Sequence, residues 1–158
     1  MQAIRKRWPA ALAALCAMVL LGACEGIFTG TAAASILLEA DAGGGFKPVA
    51  LKLTTDMSPV SLNFHADLGN NPHETGKWNG YQASLSHNGR VVASRPFNVS
   101  YTGTVELPPA HPAQVITMLI QRVEESGEYT LSIKSLKAAE VSLQNTRVEV
   151  RRNVQVPK

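Results

Sequence analysis

Cysteine is nearly absent from this chain. Two occur among 158 residues, Cys16 and Cys24, and none follows. A domain built from the rest of the chain has no disulfide and must hold by packing alone, even in an oxidising compartment. Charge is scarce as well, at 17% of residues, and the formal excess of +3 comes from Arg5, Lys6 and Arg7 near the start. Without residues 1–23, 12 basic and 12 acidic residues balance. Phosphate tracking needs a clustered basic surface. The one local excess, Arg147, Arg151, Arg152 and Lys158 against Glu149, is too small for that, so nucleic acid is not an expected partner. Catalytic signatures are missing too. There is no Gly-x-Ser-x-Gly, His-Glu-x-x-His or Cys-x-x-Cys. The glycine-rich "DAGGGF" has no strand-then-helix context and reads as a turn. No nucleophile–base pair can be named, so neither an enzyme nor a cofactor is expected.

What is present begins with a targeting segment. Arg5, Lys6 and Arg7 precede an uncharged run from Ala10 to Leu21. This is a cationic region followed by an apolar one of signal-peptide length, too short for a membrane-spanning helix of ~20 apolar residues. The run ends in Leu21-Gly22-Ala23-Cys24, which resembles the lipobox of bacterial lipoproteins at all four positions. The resemblance implies that the Cys24 sulfur receives a diacylglycerol. Cleavage then falls just before Cys24, and the new amine is acylated. Residues 1–23 form the signal peptide, Cys16 leaves with them, and 135 residues remain. The partner of the N-terminus is then a membrane, held through acyl chains on Cys24. One chain binds reversibly, whereas several make release slow. Position 25 is Glu rather than Asp. By the same resemblance, this favours the periplasmic face of the outer membrane over retention at the inner one. Residues 24–35, with "EGIFTGTAAAS" from Glu25 to Ser35, read as a lipidated tether. Residues 36–158 form the domain.

That domain reads as all-β. In "VSLNFHADL", Val60, Leu62, Phe64, Ala66 and Leu68 alternate with Ser61, Asn63, His65 and Asp67. Period-2 alternation marks a strand with one buried face. Tyr81, Ala83 and Leu85 repeat the pattern up to Asn88-Gly89, a hairpin signal because a type I′ turn needs positive φ at both central residues. Tyr129, Leu131 and Ile133 repeat it again. Val141 and Leu143 lie on one parity and Val148, Val150, Val154 and Val156 on the other, so a bulge or turn is expected near Gln144, Asn145 and Thr146. "AQVITMLIQRV" is apolar on both parities, and Ile116, Leu119, Ile120 and Val123 also fit helical spacing. Its Val, Ile and Thr content favours a strand. Short strands separated by regular turns predict an antiparallel β-sandwich of about eight strands. The expected core includes Phe64, Leu85, Leu119, Tyr129 and Leu131.

"VEESGEYTLSI" resembles the stretch before strand F of immunoglobulin-like domains, through Glu125, Ser126, Gly127 and Tyr129, with Leu131 where those domains carry cysteine. The resemblance implies a tyrosine corner, with the Tyr129 ring buried and its hydroxyl bonded to nearby backbone. "LSHNGRVV" is similar to strand C and its turn, with Leu85 in place of tryptophan. The long loop before it departs from the immunoglobulin pattern. Bacterial jelly-roll domains also carry a Gly-x-Tyr-x-Leu strand, which Gly127, Tyr129 and Leu131 match. The fold expected is therefore immunoglobulin-like or jelly-roll.

Function is read from what the loops carry. Residues 69–80 form the longest polar loop, with His73, Glu74 and Trp78, and Tyr81 follows it. Loops on a rigid scaffold are where binding residues concentrate. Trp78, Tyr81 and His73 are the candidate binding residues. The function expected is a non-enzymatic lipoprotein that binds a protein partner or assists envelope assembly. The alternative is a ligand-binding sandwich. Trp78 with Tyr81 would stack on a glycan, or His65, Asp67, His73 and Glu74 would hold a metal. Against each stands a simpler role: Trp78 closing the end of the core, and the histidines on a solvated strand face and loop. His87, before the hairpin, and His111, in "PPAHPAQ", are expected to be solvated.

Overall fold

The structure is a computed structural model, and it describes residues 30–69, 71–101 and 113–156. Cys24, the signal peptide and His111 lie outside these residues. Eight strands follow one another: β1 (Thr31–Leu37), β2 (Phe46–Leu53), β3 (Val60–Leu68), β4 (Trp78–His87), β5 (Arg90–Ser100), β6 (Ala113–Gln121), β7 (Gly127–Ser135) and β8 (Leu143–Arg152). Two 3₁₀ turns, Thr55–Met57 and Pro72–Glu74, lie between them. The two-way reading of residues 113–123 resolves to a strand, β6, over Ala113–Gln121. β1 corrects a boundary: residues 31–35, read as tether, are paired with β8 and belong to the sandwich.

The strands form two four-stranded antiparallel sheets, ordered β1-β8-β3-β6 and β2-β7-β4-β5. Each connection except β4–β5 carries the chain from one sheet to the other. This winding is that of a jelly roll, so of the two sandwich topologies expected it is the jelly roll that this chain adopts. The hairpin signalled by Asn88-Gly89 joins β4 to β5, with φ of 49° and 75°.

Alternation places the core between the sheets. Val60, Leu62, Phe64, Ala66 and Leu68 of β3 are buried, as are Tyr81, Ala83 and Leu85 of β4 and Tyr129, Leu131 and Ile133 of β7. Phe46, Phe64, Tyr81 and Phe97 meet at its centre, with ring centroids 5.4 to 6.1 Å apart. Each such burial contributes ~1.5–3 kcal/mol. The parity change near the C-terminus is a β-bulge. The β3–β8 register shifts between His65 and Asp67, whose partners are Arg147 and Gln144, and Asn145 sits in the gap at φ 48°. The bulge lets Val141, Val148 and Val150 all face inward. β8 ends at Arg152, so Val154 is still covered while Val156 is exposed.

The tyrosine corner is present. The Tyr129 ring is buried and its hydroxyl donates to the Glu125 carbonyl at 2.7 Å. His87, expected in solvent, is instead stacked on Tyr129, with centroids 4.2 Å apart and planes at 15°. Its Nδ1 lies 2.9 Å from the Glu128 carbonyl. The reason is Gly127: a Cβ there would come within 2.7 Å of the imidazole, so only glycine leaves the slot open.

Candidate functional site

The loop singled out in the sequence is a structural brace. Asn71 caps the short turn that follows it, its Oδ1 accepting from the His73 amide at 3.2 Å. Glu74 turns inward and is buried. Its carboxylate accepts from the Ser142 amide at 2.9 Å, the Ser142 hydroxyl at 2.8 Å and Asn71 Nδ2 at 3.0 Å. The bonds from Ser142, above all that of its backbone amide, hold the carboxyl below the usual glutamate range. Asn79, also buried, ties down the same stretch of chain. Its Oδ1 accepts from the amides of Glu140 and Val141 at 2.8 and 2.9 Å, and its Nδ2 donates to the Val141 carbonyl at 2.7 Å.

The candidate binding residues are therefore dispersed. Tyr81 belongs to the aromatic core at 3% exposure, and burial pushes its phenol up despite the Asn79 hydrogen bond. Placement on the inward parity of β4 removes it from any exposed pair with Trp78. Trp78 is 40% exposed, but Lys137 Nζ lies 3.8 Å from the ring centroid and also contacts Glu140. This is a cation–π cover on the rim, neither a core plug nor an open stacking platform. His73 is exposed on the short turn. Glu74 is engaged with Ser142, and His65 lies on another face. Among the described residues, no three His, Cys, Asp or Glu side chains gather as a cation site.

The constellation the structure does assemble lies on the outer face of the β1-β8-β3-β6 sheet. The register sets Asn63 of β3 opposite Glu149 of β8 and Thr117 of β6, and His65 opposite Arg147. Thr117 Oγ1 donates to Asn63 Oδ1 at 3.0 Å, and Asn63 Nδ2 points to Glu149 Oε2 at 3.4 Å. His65 Nε2 lies 3.1 Å from the same Oε2, and Arg151 Nη1 donates to Oε1 at 3.0 Å. At the far end, Arg147 Nη2 approaches His65 Nδ1 at 3.4 Å. A guanidinium only donates, so Nδ1 accepts and Nε2 carries the proton that bonds Glu149. Burial works against ionisation of Glu149. The hydrogen bonds from His65 and Asn63 and the charge of Arg151 together outweigh it and hold the carboxyl below the usual range.

Alternation places His65 on the polar face of its strand, where the sequence offers a metal as its partner, and Arg147 and Glu149 stand out in the sequence only as charges near the tail. The signal was available in "RVEVR", whose alternation puts Arg147, Glu149 and Arg151 on one face. Their meeting with His65 depends on β8 lying beside β3, which no local pattern states. Chemically, the network is a rigid lattice of donors. Both imidazole nitrogens are engaged and Glu149 is covered on both oxygens, so what the lattice presents outward is the guanidinium of Arg147 beside a shallow hollow floored by β1. No protein-family model, curated protein or solved structure matches this chain.

Proposed function

We propose that this chain is a lipid-anchored, non-enzymatic binding module of a bacterial envelope, tethered through acyl chains on Cys24 and facing the periplasm, with outer-membrane placement favoured by Glu25. Its jelly roll engages an envelope protein through the outer face of the β1-β8-β3-β6 sheet. The observation that carries this reading is the preorganised network running from Thr117 through Asn63, Glu149 and His65 to Arg147, which holds polar side chains in fixed geometry on strands. A face already ordered binds without the entropic cost of ordering it. The glycan and metal alternatives lose their supports, since Tyr81 is buried and the four candidate ligands stay apart.

The test has two arms. With labelled palmitate in a bacterial host, the native chain is expected to incorporate label, and Cys24→Ala to lose it and to be left uncleaved or soluble. Label retained in Cys24→Ala would remove the anchor. In the second arm, partner recovery from crosslinked envelopes is compared between the native chain and Arg147→Glu. The reading predicts a selective loss of one recovered species at unchanged melting temperature, and identical recovery would move the working surface elsewhere.

A further inference from the structure

The two sheets treat their edges differently. In the β2-β7-β4-β5 sheet, both edge strands are guarded in the way that blocks edge-to-edge pairing. β2 carries Lys47, Pro48 and Lys52, and β5 carries Arg90, Arg95 and Pro96, all six exposed. Charges and prolines on an edge prevent another strand from adding to it. In the other sheet, β1 has no charged residue and no proline in "TAAASIL", and its exposed Leu37 faces out at 74%. It pairs with β8 on one side, and among the described residues no strand receives its other edge. The opposite flank of the sandwich is closed by contact between β5 and β6, where Gln114 donates to the Ser100 carbonyl at 2.6 Å. The β1–β2 flank is joined at one end, where the Lys47 amide donates to the Glu39 carbonyl and Ala40 bridges Phe46. Beyond that it leaves a groove lined by the apolar Ile36, Ala50, Leu51, Leu53, Met57 and Val150 and by Lys52 and Arg152.

The charges around this flank are unequal in their pairing. Glu39 pairs with Lys47, Lys52 lies opposite Glu128 in the β2–β7 ladder, and Asp56 feels the charge of Arg152. Glu149 is already bonded by His65, Asn63 and Arg151. Arg147, opposite Leu37 in the β1–β8 ladder, has an imidazole nitrogen as neighbour and no described carboxylate within ion-pair distance. The uncompensated charge on the outer face, one strand in from the free edge, is therefore positive.

We infer that the free edge of β1 accepts an extended segment of a partner protein as an added strand, with alternate apolar side chains in the β1–β2 groove and a carboxylate reaching Arg147. This rests on the reading of the domain as a protein-binding module and supplies its mode of contact. Strand addition takes affinity from main-chain hydrogen bonds and specificity from alternate side chains, and the groove and Arg147 provide for the two alternating sets. A second copy of this chain is a poorer occupant, because two-fold pairing would bring the Arg147, Arg151 and Arg152 side of β8 towards its own image.

The experiment titrates a lipid-free full chain carrying Cys24→Ala with a nine-residue peptide of alternating valine and glutamate, and with its valine–lysine counterpart. Binding of the glutamate peptide is expected, at least tenfold tighter than the lysine peptide and weakened by salt. Ala34 and Ser35 are neighbours, so one directs its amide at β8 and the other outward. Of Ala34→Pro and Ser35→Pro, the variant that keeps the native melting temperature is expected to lose binding at least tenfold, and Arg147→Glu to reverse the charge preference. No binding of the glutamate peptide up to about 1 mM, or equal binding by the folded proline variant, overturns the inference. A concentration-dependent dimer abolished by that proline assigns the edge to a second copy and overturns it as well. If the proline variant still recovers the envelope partner while Arg147→Glu does not, the module reading stands and only strand addition fails.

Discussion

Leu131 and Trp78 show how differently two apolar residues of this chain are used. Leu131 sits on β7 between the sheets at 1% exposure, and its neighbours cannot close over a void without moving both sheets. Leu131→Ala is expected to cost ~2–5 kcal/mol in denaturant unfolding. Trp78 stands at the rim with one ring face covered by Lys137. Trp78→Ala removes an exposed cation–π contact worth ~0.5–1 kcal/mol, so its unfolding midpoint should move far less than that of Leu131→Ala. Equal losses would show that Trp78 closes the core after all. The five residues expected in the core, Phe64, Leu85, Tyr129 and Leu131 from alternation and Leu119 from an apolar run, are all buried. Alternation reports such positions well because it is a property of the strand alone. The expectation that His87 is solvated rests on its place before the hairpin and not on alternation, and it fails because the slot that covers His87 is made by Gly127 of another strand.

At the scale of the element, the β4–β5 hairpin is the part of the fold with the most local specification. Asn88 and Gly89 supply the two positive φ values of a type I′ turn, and the strands on either side pair along their full length. Gly89→Val places a β-branched residue in the left-handed region, at a cost of ~1–2 kcal/mol. Space is not the obstacle, because a Cβ at Gly89 meets no atom within 4 Å. Thermal unfolding of Gly89→Val and Gly89→Asn separates backbone strain from packing: asparagine tolerates the left-handed region and should recover most of the loss. β8 is the contrasting element. Its bulge at Asn145 was visible as a slip in parity, but its neighbours, β1 and β3, lie more than 70 positions away in sequence. The polar face that follows from those neighbours was therefore out of reach of any local reading.

Over the whole molecule, no disulfide is present in the described residues to offset a weakened interaction, and hydrogen-bonded carboxylates, Glu74 buried and Glu149 half-buried, make the sandwich sensitive to acid. Glu74 and Glu149 both have their carboxyl groups held below the ordinary glutamate value of 4.5. A depressed folded-state value means that the folded form binds its proton less readily than the unfolded chain. The stabilisation is fully present above pH 4.5 and is lost as pH falls through the folded values. Stability measured by urea unfolding should thus decline below that pH. Glu74→Gln sets an amide donor against either the Ser142 amide or Asn71 Nδ2, and is expected to cost ~1–3 kcal/mol at neutral pH. It should also flatten the acid slope, and an unchanged slope would mean that Glu74 is not the group responsible.

What the sequence determined by itself was everything that depends on neighbours along the chain: strands from alternation, the hairpin from Asn88-Gly89, the bulge near Asn145, the corner at Tyr129 and a core without disulfides. The lipid anchor at Cys24 also belongs to the sequence, as an expectation carried by Leu21-Gly22-Ala23-Cys24. The tertiary structure decided which strand lies beside which. That choice made the sandwich a jelly roll, drew Thr31–Ser35 out of the tether into β1, converted the loop after β3 into a brace bonded to Ser142 and brought His65 to Arg147 and Glu149. The physical reason is that period-2 patterning specifies the face a strand buries but carries no label for its partner. Partner choice is set by how two sheets of particular side-chain volumes close over one core, a property of all eight strands together.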